Sequence, residues 1–339
     1  MCSSDLINSV YIAIGGPQTA LLSNKGVVAV QGEDKEVTGN DVERAIQAAQ
    51  VLAIPPEREI INISPVTYIV DGYEGIKDPI GMIGVRLEVE ALIVTGKATY
   101  LQNIRRCVER AGIEVAGLVF KGLSSGAVAL SPDERELGCA FIDIGGGVAE
   151  ISLYQHDTIL DFISIPQGGD LITHDLAHGL RVSYAQAEQI KQVYGAGTKE
   201  TAGGDTIKIE SVGANQPYEI EVAQLVDFIQ PRIEEMFDFI RNELINAGFS
   251  QPPGGGIILT GGTCQLPGLA EIATRKLGTN VRVYRPRHIG VTDPSFTAST
   301  SVLQFVAGHN PMILQKKVRG GRQERFLDKI RSLFAELFG

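Results

Sequence analysis

The sequence is poor in cysteine and shows no cysteine pattern. Cys2, Cys107, Cys139 and Cys264 are scattered, with no CxxC pair. That excludes a disulfide framework and fits four unlinked thiols in a reducing compartment. No apolar run reaches the roughly 18 residues of a membrane span. The start, Met1-Cys2-Ser3-Ser4-Asp5, lacks the basic and apolar regions of a secretory signal. Positive charge is in deficit, with a net of −10, which argues against nucleic acid as a general partner. Together these absences predict a cytosolic protein, unless something holds it to a surface. What is present is ordinary for a globular chain: 339 residues, 44% hydrophobic and 21% charged. That is enough for about two domains.

The pattern is organised around Phe141–Tyr154, where an apolar run enters Gly145-Gly146-Gly147 and a second apolar run leaves it. Both runs are rich in β-branched or aromatic residues and read as strands, which places the glycines at a hairpin tip. Without Cβ atoms, the tip lets an anion approach the backbone N–H groups. A dinucleotide fingerprint needs a helix after its glycines, and a P-loop needs Lys-Ser/Thr; neither is present. Two readings stay open on these residues alone: a plain β-turn, or a phosphate clamp with Asp143 just before it.

Taken in order, Ser9–Ile14 is a strand that starts abruptly. Gly26–Val30 is a strand, and Thr38–Asp41 starts a helix carrying Val42, Ala45, Ile46 and Ala49. Glu59–Ile63 and Val66–Val70 read as two strands. Over Gly84–Val94 the alternation puts Val85, Leu87, Val89 and Ala91 inward and Arg86, Glu88 and Glu90 outward. Leu101, Ile104, Val108 and Ala111 mark an amphipathic helix ending at Gly112. Val115–Phe120 is a strand, Ser124–Leu130 a helix, and Asp133–Gly138 a polar connector.

After the hairpin come a strand at Thr158–Ile165 and a helix at Leu171–Leu180, for which Asp170 is the expected cap. His174 and His178 stand one turn apart, a spacing that serves either a metal or plain packing. Tyr184–Tyr194 is a helix with Glu188 and Lys191 on one face. A strand at Ile207–Val212 and a long helical pattern over Glu221–Ala247 follow. Then Ile257–Thr260 delivers Gly261-Gly262-Thr263, and a helix begins around Pro267. This second glycine site suits a flat ligand or an anion, or is a plain strand-to-helix turn.

The tail is basic. Residues 316–339 hold seven Lys/Arg against three Asp/Glu, a net of +4, so the rest carries −14. Phe326, Leu327, Ile330, Leu333, Phe334, Leu337 and Phe338 fall on one helical face, with Arg325 and Lys329 among them. Roughly 20 Å long over about 14 residues, this helix is too short to span a bilayer and suits adsorption to anionic lipid. Docking on its own domain or on a partner is the other reading.

The assembled pieces resemble the FtsA family of bacterial cell-division proteins, in the actin/Hsp70 ATPase superfamily, from about Val10 to the C-terminus. Ile76–Val89 resembles the family's own subdomain 1C, which actin, MreB and Hsp70 lack. Phe141–Leu153 resembles the superfamily's second phosphate hairpin, Ile257–Leu269 its adenosine motif, and the terminal helix the family's membrane-targeting sequence.

The resemblance implies an actin-like (ribonuclease H-like) two-domain α/β fold. Residues 8–19 and 117–139 would be a remnant of domain 1A, and 20–116 subdomain 1C. Residues 140–182 and 249–295 would be domain 2A, 183–248 subdomain 2B, and 296–309 the closing helix of 1A. A linker over 310–321 and the amphipathic helix 322–339 would complete the chain.

It further implies ATP and Mg²⁺ as ligands, while Lys121, a departure from the superfamily's usual acid, predicts weak or no hydrolysis. Gly145, Gly146, Gly147 and Val148 would cradle phosphates, with Asp143 acting on Mg²⁺ through water. Glu188 and Lys191 would hold the ribose, and Gly261, Gly262 and Thr263 the adenine side. The implied role is a peripheral adaptor at the division site. It would anchor FtsZ filaments to the cytoplasmic face of the inner membrane through anionic lipid, self-assemble, and meet other division proteins. The FtsZ tail would dock on the helix carrying Arg232, Glu235, Arg241 and Asn242.

Three departures qualify the pattern. The family's Asp-x-Gly-Thr/Ser loop has no counterpart before Val10, so part of domain 1A would be missing. Val148 and Ala149 replace residues that often carry a hydroxyl. Lys121 stands where the superfamily often carries an acid, and a lysine is no base at neutral pH unless strongly desolvated. The alternatives are an actin-like ATPase of another membrane-associated assembly, such as type IV pilus biogenesis, and a nucleotide-free docking module.

Overall fold

The computed structural model describes residues 7–51, 54–210, 216–249, 251–287 and 290–308. They fall into two units: the residues up to Ser124 together with those from Val302, and Ser125–Ser301.

In the first unit, β1 (Ser9–Ile14) precedes β2 (Thr19–Ala29), α1 (Gly39–Ala49), β3 (Arg58–Val70), β4 (Tyr73–Ile76), β5 (Arg86–Lys97), α2 (Ala98–Arg110) and β6 (Glu114–Phe120). Strands β2, β5, β3 and β4 form an antiparallel sheet in that order, and β1 pairs in parallel with β6. Helix α1 packs closely on β2. A Cβ on Gly26 would stand 2.0 Å from the Ala45 carbonyl oxygen, so only glycine fits there. Val42, Ala45 and Ala49 of α1 meet Leu87, Val89, Ala91 and Ile93 of β5 in one core. Val119 of β6 packs with Val302, Phe305 and Val306 in another.

Helix α1 starts at a capping box. Thr38 caps Asp41, and the fully buried Asp41 carboxylate returns bonds to the Thr38 amide and hydroxyl, the Gln31 amide and Arg44. Burial alone would raise this carboxyl; the four donors outweigh it and hold it below the ordinary range.

Two expectations for this unit are corrected. Val85 does not face inward; it is 60% exposed. The Asp71 carboxylate takes the Val85 and Arg86 amides at 2.9 and 2.8 Å, so ladder pairing begins only at Arg86. The two strands expected over 59–70 are one, β3, with irregularities between Ile60 and Asn62 and between Pro65 and Thr67. Proline has no N–H for the ladder, so a bulge beside Pro65 lets the strand continue.

The second unit continues through α3 (Lys121–Ala129), α4 (Pro132–Leu137), β7 (Cys139–Ile144), β8 (Ala149–Gln155), β9 (Thr158–Ile165), α5 (Gly169–Leu180), α6 (Tyr184–Tyr194), β10 (Thr206–Ile209), β11 (Tyr218–Glu221), α7 (Val222–Asn246), β12 (Ile257–Thr260), α8 (Leu269–Leu277), β13 (Val281–Val283) and α9 (Thr297–Gly308), α3 and α9 crossing the limits of the unit. Its sheet runs β13-β12-β7-β8-β9, parallel through β7 and antiparallel beyond it. Apolar residues of α5, α7 and α8 cover it in one core that includes Ile142, Ile151, Leu176, Ile233 and Leu259. The stretch Asp133–Gly138 is more than a connector. Ser131 and Glu134 form a capping box around Pro132, and a short helix results. The expected strand over 207–212 is shorter, Thr206–Ile209, with 211–215 outside the described residues; it pairs with β11, which the pattern had not revealed.

Candidate functional site

Strand register explains why distant glycines meet. Strands β7 and β12 are parallel with Asp143 beside Thr260, so Gly145–Gly147 and Gly261–Gly262 leave the sheet at the same edge. Strand β9 runs antiparallel to β8 with Ile165 beside Ala149, which returns Gly168-Gly169 to that edge too. In open α/β sheets, ligands sit beyond the carboxyl ends of such strands.

The three segments are in close contact. The Gly169 amide donates to the Gly145 carbonyl at 3.0 Å and the Asp170 amide to the Gly146 carbonyl at 2.8 Å. A Cβ on Gly168 would stand 2.1 Å from the Gly146 oxygen, and one on Gly169 2.5 Å from Thr263 Oγ1. Gly261, at φ 94°, packs under the Ile144 carbonyl and the Asp143 carboxylate, 2.4 and 2.5 Å from where its Cβ would be.

These contacts correct the expected cap of α5. Gly168 is the N-cap residue, and no side chain caps the helix. The two hairpin carbonyls satisfy its first amides instead, which leaves Asp170 inside the first turn.

Beside this junction lies a cavity of about 570 Å³. Of the residues singled out in the sequence, Gly146, Glu188, Lys191, Gly262 and Thr263 line it; Asp143, Gly145, Gly147, Val148 and Gly261 are not among its lining residues. Gln265, Leu266 and Pro267, within the stretch that resembles the adenosine motif, line it as well, and so do Gln192, Gly195 and Asp293, which were not foreseen. Gln192 was within reach of sequence reasoning, one helical turn after Glu188. Asp293 carried no such signal.

Helix α6 sets Glu188 and Lys191 one turn apart, and they bond to α5 as a pair. Lys191 Nζ lies 2.7 Å from Glu188 Oε2, 2.7 Å from Thr173 Oγ1 and 3.0 Å from the Gly169 carbonyl. Thr173 donates to Glu188 at 2.5 Å, and Gln192 donates to its other oxygen at 2.8 Å. Burial alone would raise the Glu188 carboxyl; hydrogen bonds from Lys191, Thr173 and Gln192 overcome this and hold it below its ordinary 4.5.

A group so depressed stabilises the fold fully above the unfolded carboxylate value, and the contribution fades as pH falls through the folded one. Lys191→Met should cost about 1–3 kcal/mol near neutrality. It should also flatten the loss of melting temperature below pH 4.5. Thermal melts of both proteins across acid pH check this, and parallel curves would contradict the pairing.

Among the described residues, no group of three or more His, Cys, Asp or Glu could hold a metal ion. His174 packs its ring on that of Tyr184, with centroids 4.9 Å apart. On α7, Arg232 binds Asp175 of α5 through two bonds, at 2.6 and 3.0 Å, and pairs with Glu235. Arg241 pairs with Asp238 at 3.2 Å, and Asn242 is exposed. None of these four lines the cavity. Cys107, Cys139 and Cys264 are free thiols; burial pushes Cys139 up to about 12. The terminal residues Arg325 to Phe338 lie outside the described residues.

The fold is that of the actin-like proteins. The chain superposes on the PilM-PilN type IV pilus biogenesis complex with a TM-score of 0.55 and 17% identity, covering 87% of this chain and 78% of that one. It superposes on MreB5 of Spiroplasma citri bound to ADP with a TM-score of 0.50 and 16% identity, covering 62% and 65%.

Sequence comparison is more specific. The model of the SHS2 domain inserted in FtsA matches residues 16–95, and that of cell division protein FtsA matches 140–301. The chain is 38% identical over 325 residues to cell division protein FtsA of Bacillus subtilis, covering 96% of this chain and 73% of that protein. For Pseudomonas aeruginosa FtsA the identity is 36% over 305 residues, covering 88% and 73%. For Escherichia coli FtsA it is 33% over 312 residues, covering 88% and 74%. The chain belongs to the FtsA family and is a cell-division protein.

Proposed function

We propose that this chain is an ATP-binding division adaptor that ties FtsZ filaments to the cytoplasmic face of the inner membrane and assembles with copies of itself. The observation that carries the reading is the cavity, which Gly146 of the hairpin, the Glu188–Lys191 pair and Gly262 and Thr263 line together. Its residues fit an adenine nucleotide. Among the described residues the amides of Gly146, Gly147 and Val148 have no hydrogen-bond partner, and Gly146 and Gly147 are exposed. Successive free amides of this kind receive anionic oxygens. The Glu188 carboxylate, held ionised, accepts from ribose hydroxyls, and Leu266 and Pro267 offer apolar surface to a flat base. Asp143 would bind Mg²⁺ through water. The bound nucleotide would supply charge that stiffens the hairpin.

On this reading residues 20–116 form subdomain 1C and 183–248 form subdomain 2B, where Arg232, Glu235, Arg241 and Asn242 meet the FtsZ tail. Residues 322–339 would be the membrane-targeting segment, their four Lys/Arg set against an acidic body. No helix among the described residues is long and apolar enough to cross a membrane.

The test is recruitment. FtsZ polymers should sediment with anionic vesicles only when this chain is present, and an FtsZ tail peptide in excess should release them. FtsZ left in the supernatant would sink the adaptor reading.

A further inference from the structure

Thr263 is 8% exposed, and its hydroxyl donates to the Gly145 carbonyl at 2.8 Å. That carbonyl also accepts from the Gly169 amide at 3.0 Å, so both of its lone pairs are engaged. A trans peptide points its C=O and the following N–H in opposite directions. Fixing the Gly145 carbonyl against Thr263 and α5 therefore turns the Gly146 amide away from them. The next peptide repeats the arrangement: the Asp170 amide holds the Gly146 carbonyl at 2.8 Å, which turns the Gly147 amide outward. The first two amides of α5 are spent on this task, so the helix start is not itself the anion receptor. The hairpin amides are.

Both Gly169 and Asp170 belong to α5 and move with it. Thr263 is the one side chain that donates to either hairpin carbonyl among the described residues, and it reaches from the turn after β12. Its neighbours leave it no slack: a Cβ on Gly169 would stand 2.5 Å from Thr263 Oγ1.

We propose that Thr263 is a positioning residue that latches the hairpin, aiming the Gly146 and Gly147 amides at the phosphate chain. This rests on the nucleotide reading above and adds a role distinct from contact with the adenine. With its hydroxyl proton given to Gly145, Thr263 joins the adenosine side of the cavity to the phosphate side.

The test compares the full chain with Thr263→Val, which keeps the shape and loses the donor, and with Thr263→Ser, which restores it. Without nucleotide, amide exchange at Gly145, Gly169 and Asp170 should quicken about three- to tenfold in Thr263→Val and return to the original rate in Thr263→Ser. With nucleotide, the preference for ADP over adenosine should fall by a similar factor in Thr263→Val while adenosine affinity holds. Unchanged exchange, or equal weakening of adenosine and ADP, overturns the latch. If the original chain binds neither adenosine nor ADP, the nucleotide reading fails, and the exchange rates alone decide whether the latch exists. Should Thr263→Val not fold, Thr263→Cys, a weak donor of similar size, takes its place.

Discussion

Gly261→Ala should lower the melting temperature of the chain by roughly 10 °C and abolish nucleotide binding. Gly261 sits at φ 94° and ψ 163°, a region open essentially to glycine alone. An added Cβ would also lie 2.4 Å from the Ile144 carbonyl oxygen and 2.5 Å from the Asp143 carboxylate. The first of these is backbone in the central strand of the sheet and cannot swing aside. Backbone strain of about 1–3 kcal/mol and overpacking of a similar size add to about 3–5 kcal/mol. The strain falls where the hairpin and the turn after β12 touch, so what remains folded loses the cavity geometry. Gly262→Ala is the control, since the nearest neighbour of its Cβ is Ser295 at 3.7 Å, an ordinary contact. Differential scanning calorimetry of both variants checks the expectation. Equal melting temperatures would contradict the packing described for the junction.

Removing residues 322–339 should abolish binding to anionic vesicles and leave the folded body intact. The segment combines seven apolar residues at the spacing of one helical face in the sequence with Arg322, Arg325, Lys329 and Arg331. Each basic residue near an anionic surface contributes about 1 kcal/mol, and the buried apolar face adds to it. The segment nets only +1, so its removal takes the chain from −10 to −11 and acts chiefly through the lost apolar residues. The binding should also weaken with salt, as charge attraction is screened. Vesicle sedimentation at low and high salt, with and without the segment, tests this. Persistence of binding after the deletion would place the lipid contact elsewhere.

Much of the architecture was legible because its signals are local. The alternation at Leu87, Val89 and Ala91, the helical spacing from Val42 to Ala49 and the apolar runs flanking Gly145–Gly147 each follow from one element burying one face. What failed depended on contacts between distant segments. Val85 continues the alternation in sequence, yet Asp71 captures its amide and leaves it exposed. Asp170 has the composition of a cap, but hairpin carbonyls do the capping.

The site's parts were legible from the residues themselves, and its assembly only through the family resemblance. The Glu188–Lys191 pair and both glycine turns were visible as motifs. Their convergence follows from the parallel register of β7 and β12, which no local pattern encodes. Thr173 illustrates the gap. It is buried mid-helix, and only the fold sets its hydroxyl between Glu188 and Lys191.

The most direct measurement of the central claim is a calorimetric titration of the full chain with ATP and magnesium. The account predicts saturable binding of one nucleotide per chain. It should weaken clearly in Glu188→Gln, which loses the ionised acceptor while keeping the size, and stay unchanged in Asn242→Ala on the outer helix. Absence of saturable binding by the full chain at millimolar ATP, or equal affinity in Glu188→Gln, would contradict the assignment of the cavity to a nucleotide.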